Sequence, residues 1–345
     1  MKLIKAIVMY FLLTCILHGS EEFVHDPSRF FLFDERLIGY SSGSNGVALQ
    51  GLELVLQEEL VEHFVPVFEE GVPGWIDDIQ IWNKTYELDA PAVHQNGKYI
   101  FYTVTDETDD QNSAYNIQDA IGVVKNNGTP DKPDWLDLGI VVQSRGEQLG
   151  TARAMDPSIL EFKQNLYLIF GSHAGGIYLT ELNPESMKLK KKPQLTSTLK
   201  HKNRFFHLAQ HLDSNKEESE IEAPFLYWKG NYFYLFVNWG KCCRGVDSTY
   251  NIRVGRSRSI KGPFFDKAGK SMNSGGGSLF LQSKEHFSGP GHAGIAITNN
   301  YGEVFTYHYY DAEDNGISKL AARELLWTET GWPKLGQHLV SINKN

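Results

Sequence analysis

Positive charge, cysteine, helical periodicity and long apolar runs are all scarce in this 345-residue chain. Lys and Arg number 33 against 42 Asp and Glu, a formal charge of −9. That charge becomes −11 once Lys2 and Lys5 are removed with the N-terminal stretch that carries them. Such a surface repels phosphate backbones and anionic lipid, which excludes nucleic acid and the membrane surface as expected partners. Beyond the first 20 residues no stretch is long and apolar enough to span a bilayer. Sustained 3.6-residue spacing of apolar residues is lacking, which argues against helices as the main element. Several catalytic signatures are also missing. No serine nucleophile elbow is present. His207 and His211 have the spacing of a zinc protease, but Leu208 stands where that chemistry needs glutamate. Residues 289–294 fit G-x-G-x-x-G with Asp311 about 20 residues on, yet the following IAITNNYGEVFTYHYY reads strand, turn, strand, so no dinucleotide fold surrounds it.

What is present describes a folded globular protein: 41% hydrophobic, 12% aromatic, with 32 glycines. Residues 1–20, MKLIKAIVMYFLLTCILHGS, join two lysines to a short apolar run and small residues, the layout of a secretory signal peptide. The expected organisation is a signal peptide at 1–20 and one catalytic domain at 21–345, secreted to the extracellular space. Cleavage removes Cys15 and leaves Cys242 and Cys243, adjacent in sequence, either as a vicinal disulfide or as two thiols. Two glycosylation matches, Asn83-Lys84-Thr85 and Asn127-Gly128-Thr129, are expected on the surface.

The strongest pattern is an internal repeat. Asp26-Pro27-Ser28, Asp89-Ala90-Pro91, Asp156-Pro157-Ser158 and Glu222-Ala223-Pro224 each precede an aromatic, strand-like run. A fifth unit opens at Gly289-Pro290-Gly291-His292. The anchors at 26, 89, 156, 222 and 292 lie 63, 67, 66 and 70 residues apart. Within each unit, short apolar runs broken by Gly, Asn, Asp and Pro read as antiparallel strands. After Asp156 the runs SILEF, LYLIFGS and GGIYLTEL give three strands and leave room for a fourth. The predicted fold is therefore all-β: a five-bladed β-propeller of four-stranded antiparallel blades around a central channel.

In such a fold the first strand of each blade lines the channel, so Asp26, Asp156, Glu222 and His292 are expected to meet at one end of it, with Asp89 joining them. Crowded carboxylates cannot all stay ionised, so one should hold its proton to unusually high pH. A protonated acid beside an ionised base is what glycosidic bond hydrolysis requires.

These signatures resemble those of glycoside hydrolase family 43: His25-Asp26-Pro27-Ser28, Met155-Asp156-Pro157-Ser158 and Glu222-Ala223-Pro224-Phe225. The run from Cys242 to Phe264, the glycines at 275–277 and Gly289-Pro290-Gly291-His292 are similar to the arabinanase branch. The resemblance implies an inverting hydrolase of α-L-arabinofuranosyl linkages. Asp26 would be the general base, Glu222 the general acid, and Asp156 the residue that orients Glu222 and raises its pKa. An inverting pair should stand about 6.5–9.5 Å apart. The resemblance also implies His292 as a contact to a channel calcium ion held mostly by water; the alternative is a histidine bonded to a catalytic carboxylate. Where arabinanases carry Trp-Ala-Pro-Asp in the second blade this chain has Leu88-Asp89-Ala90-Pro91-Ala92, and His173-Ala174 replaces an aromatic pair after Ser172. Ser172, Asp89, Trp82 and Phe206 are then the candidate substrate contacts, with Phe205 beside Phe206. The expected partner is a polysaccharide or oligosaccharide, met by a monomer. The alternatives are a β-xylosidase, a galactan-releasing enzyme, an arabinofuranosidase, or a sugar-binding propeller without activity.

Overall fold

The structure, a computed structural model, describes residues 23–43, 49–56, 61–64, 67–68, 75, 86–106, 119–144, 153–173, 175–190, 205–212 and 220–340. The expected signal peptide, Trp82 and the Asn83 glycosylation match lie outside the described residues. Asn127, the other match, is exposed.

Five antiparallel sheets of four strands follow one another along the chain. The first holds β1 (Phe31–Phe33), β2 (Arg36–Ser42), β3 (Leu49–Leu54) and β4 (Val61–Phe64). The second holds β5 (Tyr86–His94), β6 (Tyr99–Asp106), β7 (Ala120–Asn126) and β8 (Trp135–Gln143). Next come β9 (Ser158–Phe162), β10 (Asn165–Phe170), β11 (Ile177–Leu182) and β12 (Phe206–Ala209). The fourth holds β13 (Ile221–Lys229), β14 (Tyr232–Trp239), β15 (Asn251–Ser257) and β16 (Ser278–Leu281). The fifth holds β17 (Phe287–Thr298), β18 (Gly302–Asp311), β19 (Ile317–Trp327) and β20 (Pro333–His338). This is the predicted five-bladed propeller. The three strands expected after Asp156 are β9, β10 and β11, and β12 is the fourth.

Tight hairpins open the blades. Phe33 pairs with Arg36 and Phe162 with Asn165, so Asp34-Glu35 and Lys163-Gln164 are two-residue loops. All four loop residues have positive φ, the geometry that matches the twist of the flanking strands.

The middle strands are apolar on both faces because each blade is covered on both sides. Along β10, Leu166, Leu168 and Phe170 pack toward the second blade, while Tyr167 and Ile169 pack toward the fourth. Every one of the five blade interfaces has its own cluster of buried side chains. The cluster between the last blade and the first joins Val304 and Leu320 to Val24 and Leu52. Among the described residues no blade borrows a strand from a neighbour, so side-chain packing and backbone bonding close the ring. Val24 N–H donates to Ser318 O at 2.9 Å, and Ser318 Oγ donates to Val24 O at 2.7 Å. Pro27, Pro91, Pro157, Pro224 and His292 line one small cavity, which places the five anchor segments together on the axis. Among the described residues no helix is long and apolar enough to cross a membrane.

Candidate active site

One backbone feature recurs in every blade and builds the site. Asp26, Ala90, Asp156, Ala223 and His292 all have φ between +47° and +56°. This left-handed conformation is costly for a residue with a Cβ and persists only where its surroundings impose it. Four of the five precede proline, which bars the right-handed helical region to them. The true register of the repeat is therefore 26, 90, 156, 223 and 292. Asp89 and Glu222 stand one residue earlier, paired across the sheet with Thr103 and Asn238.

In each case the N–H of the left-handed residue donates to a side chain of the preceding blade. Asp26 donates to His308 Nδ1 at 3.1 Å, Ala90 to Ser42 Oγ at 3.1 Å, Asp156 to Thr103 Oγ1 at 3.0 Å and His292 to Asn238 Oδ1 at 3.1 Å. The pattern changes at one place. The corresponding position of the third blade is Gly171, which has no side chain, so Ala223 N–H donates to Asp156 Oδ2 at 3.0 Å, and the next residue, Ser172, turns its Oγ to Glu222 Oε2 at 2.8 Å. Ser172, a candidate substrate contact, is buried with its hydroxyl on Glu222.

Two electrostatic environments result. Asp26 is held by His25 Nδ1 on Oδ2 at 2.9 Å and by His292 Nδ1 on Oδ1 at 3.2 Å. Burial alone would push its pKa up, but His25 and His292 outweigh it and hold Asp26 well below the usual carboxylate range. His308 Nδ1 lies 3.5 Å from Asp26 Oδ1, but it already accepts the Asp26 amide, so it cannot donate there. Burial keeps His308 neutral, and its ring stacks on His25 at 4.2 Å.

The other end is a pair of buried carboxyls. Burial, then the charge of Glu222, pushes Asp156 up to about 7. Glu222 is pushed up by burial, but His173, Ser172 and Tyr250 pull it down further. His173 Nδ1 is 3.4 Å from Glu222 Oε2. The Tyr250 phenol, kept neutral by its burial and by the charges of Glu222 and Asp156, bonds to Glu222 as well. A Cβ on Gly291 would overlap the Tyr250 ring, so that position needs glycine. The pair holds its proton on Asp156, whereas the sequence implied that Glu222 would be the raised member. Asp89 joins the group: burial and the nearby Asp26 charge raise it to about 6, and Thr105 Oγ1 donates to it at 3.2 Å.

Phe206 does not join them. It lies on β12, the outermost strand of the third blade, where it packs on the core and carries Lys261 Nζ at 4.4 Å. Phe205 packs edge-on against Phe170. His207 is likewise on β12 rather than on a helix.

A cation site was expected at His292. His25, Asp26 and His308 are close enough to share an ion, but they offer two imidazoles and one carboxylate whose oxygens His25 and His292 already occupy. Calcium takes six to eight oxygens. These side chains do not make a calcium shell by themselves, and no step of the chemistry below passes through a metal.

His25, His173, Tyr250, His308 and Tyr310 went unassigned in the sequence. His25 and Tyr250 sat inside the quoted signature runs, and the polar residues interrupting apolar β18, Tyr-His-Tyr-Tyr at 307–310, were the available signal for the last two.

A family model described as Glycosyl hydrolases family 43 matches residues 76–333. An extracellular exo-alpha-(1->5)-L-arabinofuranosidase of Cellvibrio japonicus (strain Ueda107) is 36% identical over 255 residues, 72% of this chain and 70% of that protein. An extracellular endo-alpha-(1->5)-L-arabinanase of Bacillus subtilis (strain 168) is 32% identical over 319 residues, 91% of this chain and 88% of that one. Among solved structures, a GH43 endo-arabinanase from Bacillus licheniformis matches with TM-score 0.73 and 30% identity, covering 91% of this chain and 98% of the other. A Cellvibrio cellulosa alpha-L-arabinanase complexed with arabinohexaose matches with TM-score 0.73 and 28% identity, covering 92% and 96%.

Proposed function

The chain belongs to glycosyl hydrolase family 43 and is a glycoside hydrolase; on that premise we propose that it cleaves α-L-arabinofuranosyl linkages in arabinan or arabinose-containing plant polysaccharide, with inversion at the anomeric carbon. The observation that carries this reading is the division of the channel floor. Asp26, beside two histidines, stays ionised, and the Asp156–Glu222 pair keeps a proton.

Asp26 takes a proton from water as the water oxygen bonds to the anomeric carbon. Glu222 protonates the glycosidic oxygen as its bond to that carbon breaks, and Asp156 supplies and stabilises the proton on the pair. Ser172, Tyr250 and His173 fix the Glu222 carboxyl toward the leaving oxygen. Asp89, near Asp26, is read as a bonding partner for sugar hydroxyls. The protein is further read as secreted after loss of residues 1–20 and as acting as a monomer on arabinan or arabino-oligosaccharide. The extracellular names of its relatives support the first point.

The test compares sugar release by wild type and Glu222→Gln on linear arabinan, branched arabinan, xylan and galactan. Activity on arabinan should fall about 10²–10⁴-fold in the variant, which keeps the shape of the acid without its proton. Release from xylan or galactan alone would replace the substrate. NMR of the first product should show the β anomer, and an α product would overturn inversion.

A further inference from the structure

Cys242 and Cys243 form a disulfide at the mouth of the site, with Cys242 half-buried and Cys243 exposed. Cys243 has φ of +63°. A residue with a Cβ leaves that conformation unless something holds it, and the small ring closed by two adjacent cysteines is such a restraint. The restraint aims the Cys243 N–H, which donates to Tyr310 Oη at 2.7 Å.

Tyr310, itself buried, continues inward. Its Oη lies 2.8 Å from His25 Nε2, and His25 Nδ1 lies 2.9 Å from Asp26 Oδ2. The direction of this chain follows from its first link. A backbone N–H can only donate, so Tyr310 accepts there and its own proton is free for Nε2 of a neutral His25; the imidazole proton then sits on Nδ1, aimed at Asp26. With His25 charged, Nε2–H donates into the phenol oxygen, and Cys243 still fixes that oxygen. Cys243 Sγ also lies 3.9 Å from His25 Nε2, at the edge of the imidazole.

The rest of the loop does not need the sulfur bridge. Thr249 N–H donates to Lys241 O at 3.0 Å, Lys241 N–H to Thr249 Oγ1 at 3.0 Å, and Arg244 N–H to Ser248 Oγ at 3.0 Å. Opening the bridge therefore frees Cys243 while leaving the loop and the blades in place.

We propose that the Cys242–Cys243 disulfide is a positioning element for the general base: closed, it holds Tyr310 and through it His25 and the Asp26 carboxylate; opened, it leaves a folded enzyme with a misaimed base. This rests on the reading of Asp26 as the base.

The experiment reduces the mature protein with a trialkylphosphine, which breaks the S–S bond and, with water, yields two thiols and the phosphine oxide. Thiol titration before and after counts the change. Steady-state kinetics on linear arabino-oligosaccharide, with circular dichroism alongside, should show kcat lower by about 10–100-fold with KM little changed and the spectrum intact. Removing the phosphine and reoxidising with a small disulfide should restore kcat. Tyr310→Phe should lose a similar factor, and reduction should then add little, because both changes cut the same chain. A Cys242→Ser/Cys243→Ser variant should behave like the reduced enzyme without any reductant. The proposal is overturned if the untreated protein carries two free thiols, if reduction leaves kcat unchanged, if the loss lies in KM or in melting of the fold, or if reduction costs Tyr310→Phe as much as wild type. Asp26→Ala separates the two readings: full activity in that variant removes the base assignment itself, whatever the disulfide does.

Discussion

Asp156 and Glu222 differ by little in kind and by much in company. Asp156 meets the amide of Ala223, while Glu222 is served by a serine hydroxyl, a phenol and a half-exposed histidine. The proton therefore rests on Asp156, from which, on the proposed mechanism, a leaving oxygen draws it through Glu222, and the pair loses it as pH rises through about 7. The rate should accordingly fall on the alkaline side from about that pH. In Asp156→Asn the amide keeps an oxygen for Ala223 N–H but removes the second negative charge. Glu222 then gives up its proton at lower pH, and the alkaline limb of kcat/KM should move toward acid, as a pH–rate profile would record. A limb that stays in place would exclude the pair as its source. At this scale the carboxylates were readable, because Asp and Glu beside proline repeat at a fixed interval. Their partners were not: His25 and Tyr310 stand 285 residues apart and meet only because the ring closes.

Single strands were legible for the same reason that blades are stable. Runs such as YFYLFVNW are apolar on both faces, which is what a strand packed between two neighbours requires. The alignment of the five units was readable only to within one residue. Side-chain type suggested 89 and 222, whereas backbone conformation puts 90 and 223 in register with 26, 156 and 292. No composition signal carries φ for an alanine, so the offset of Asp89 and Glu222 had to come from the structure. A second element-level device was equally silent. Asp119, at the start of the second blade's third strand, is 1% exposed and takes a two-pronged bond from Arg153 at 2.6 and 2.8 Å. Arg153 precedes Asp156 by three residues, so this pair anchors the approach to the acid end. Asp119→Ala leaves a guanidinium largely buried without its partner and should cost about 3–5 kcal/mol in urea unfolding. A loss under 1 kcal/mol would show that water reaches Arg153 freely.

As a whole the molecule is a circle joined at Val24 and Ser318. Ser318→Ala leaves the buried Val24 carbonyl without that hydroxyl and should lower stability by about 1–3 kcal/mol. Because every blade is packed between two others, loss of activity and loss of tryptophan fluorescence should fall in one coincident urea transition in that variant too. Activity lost at lower urea would mean that the join opens before the blades do. The five-fold architecture was legible from the spacing of anchors, but the way the circle closes was not, since the Val24–Ser318 join uses three backbone groups and one serine hydroxyl.

The join also sets an order in time. Asp26, the proposed general base, precedes the first blade's strands, and the imidazole that grips its amide lies 282 residues behind it. A polypeptide leaves the ribosome front end first. Asp26 is thus outside long before His308 arrives to seat it, and the nascent chain stays inert toward any glycan it meets until its final blade has been delivered.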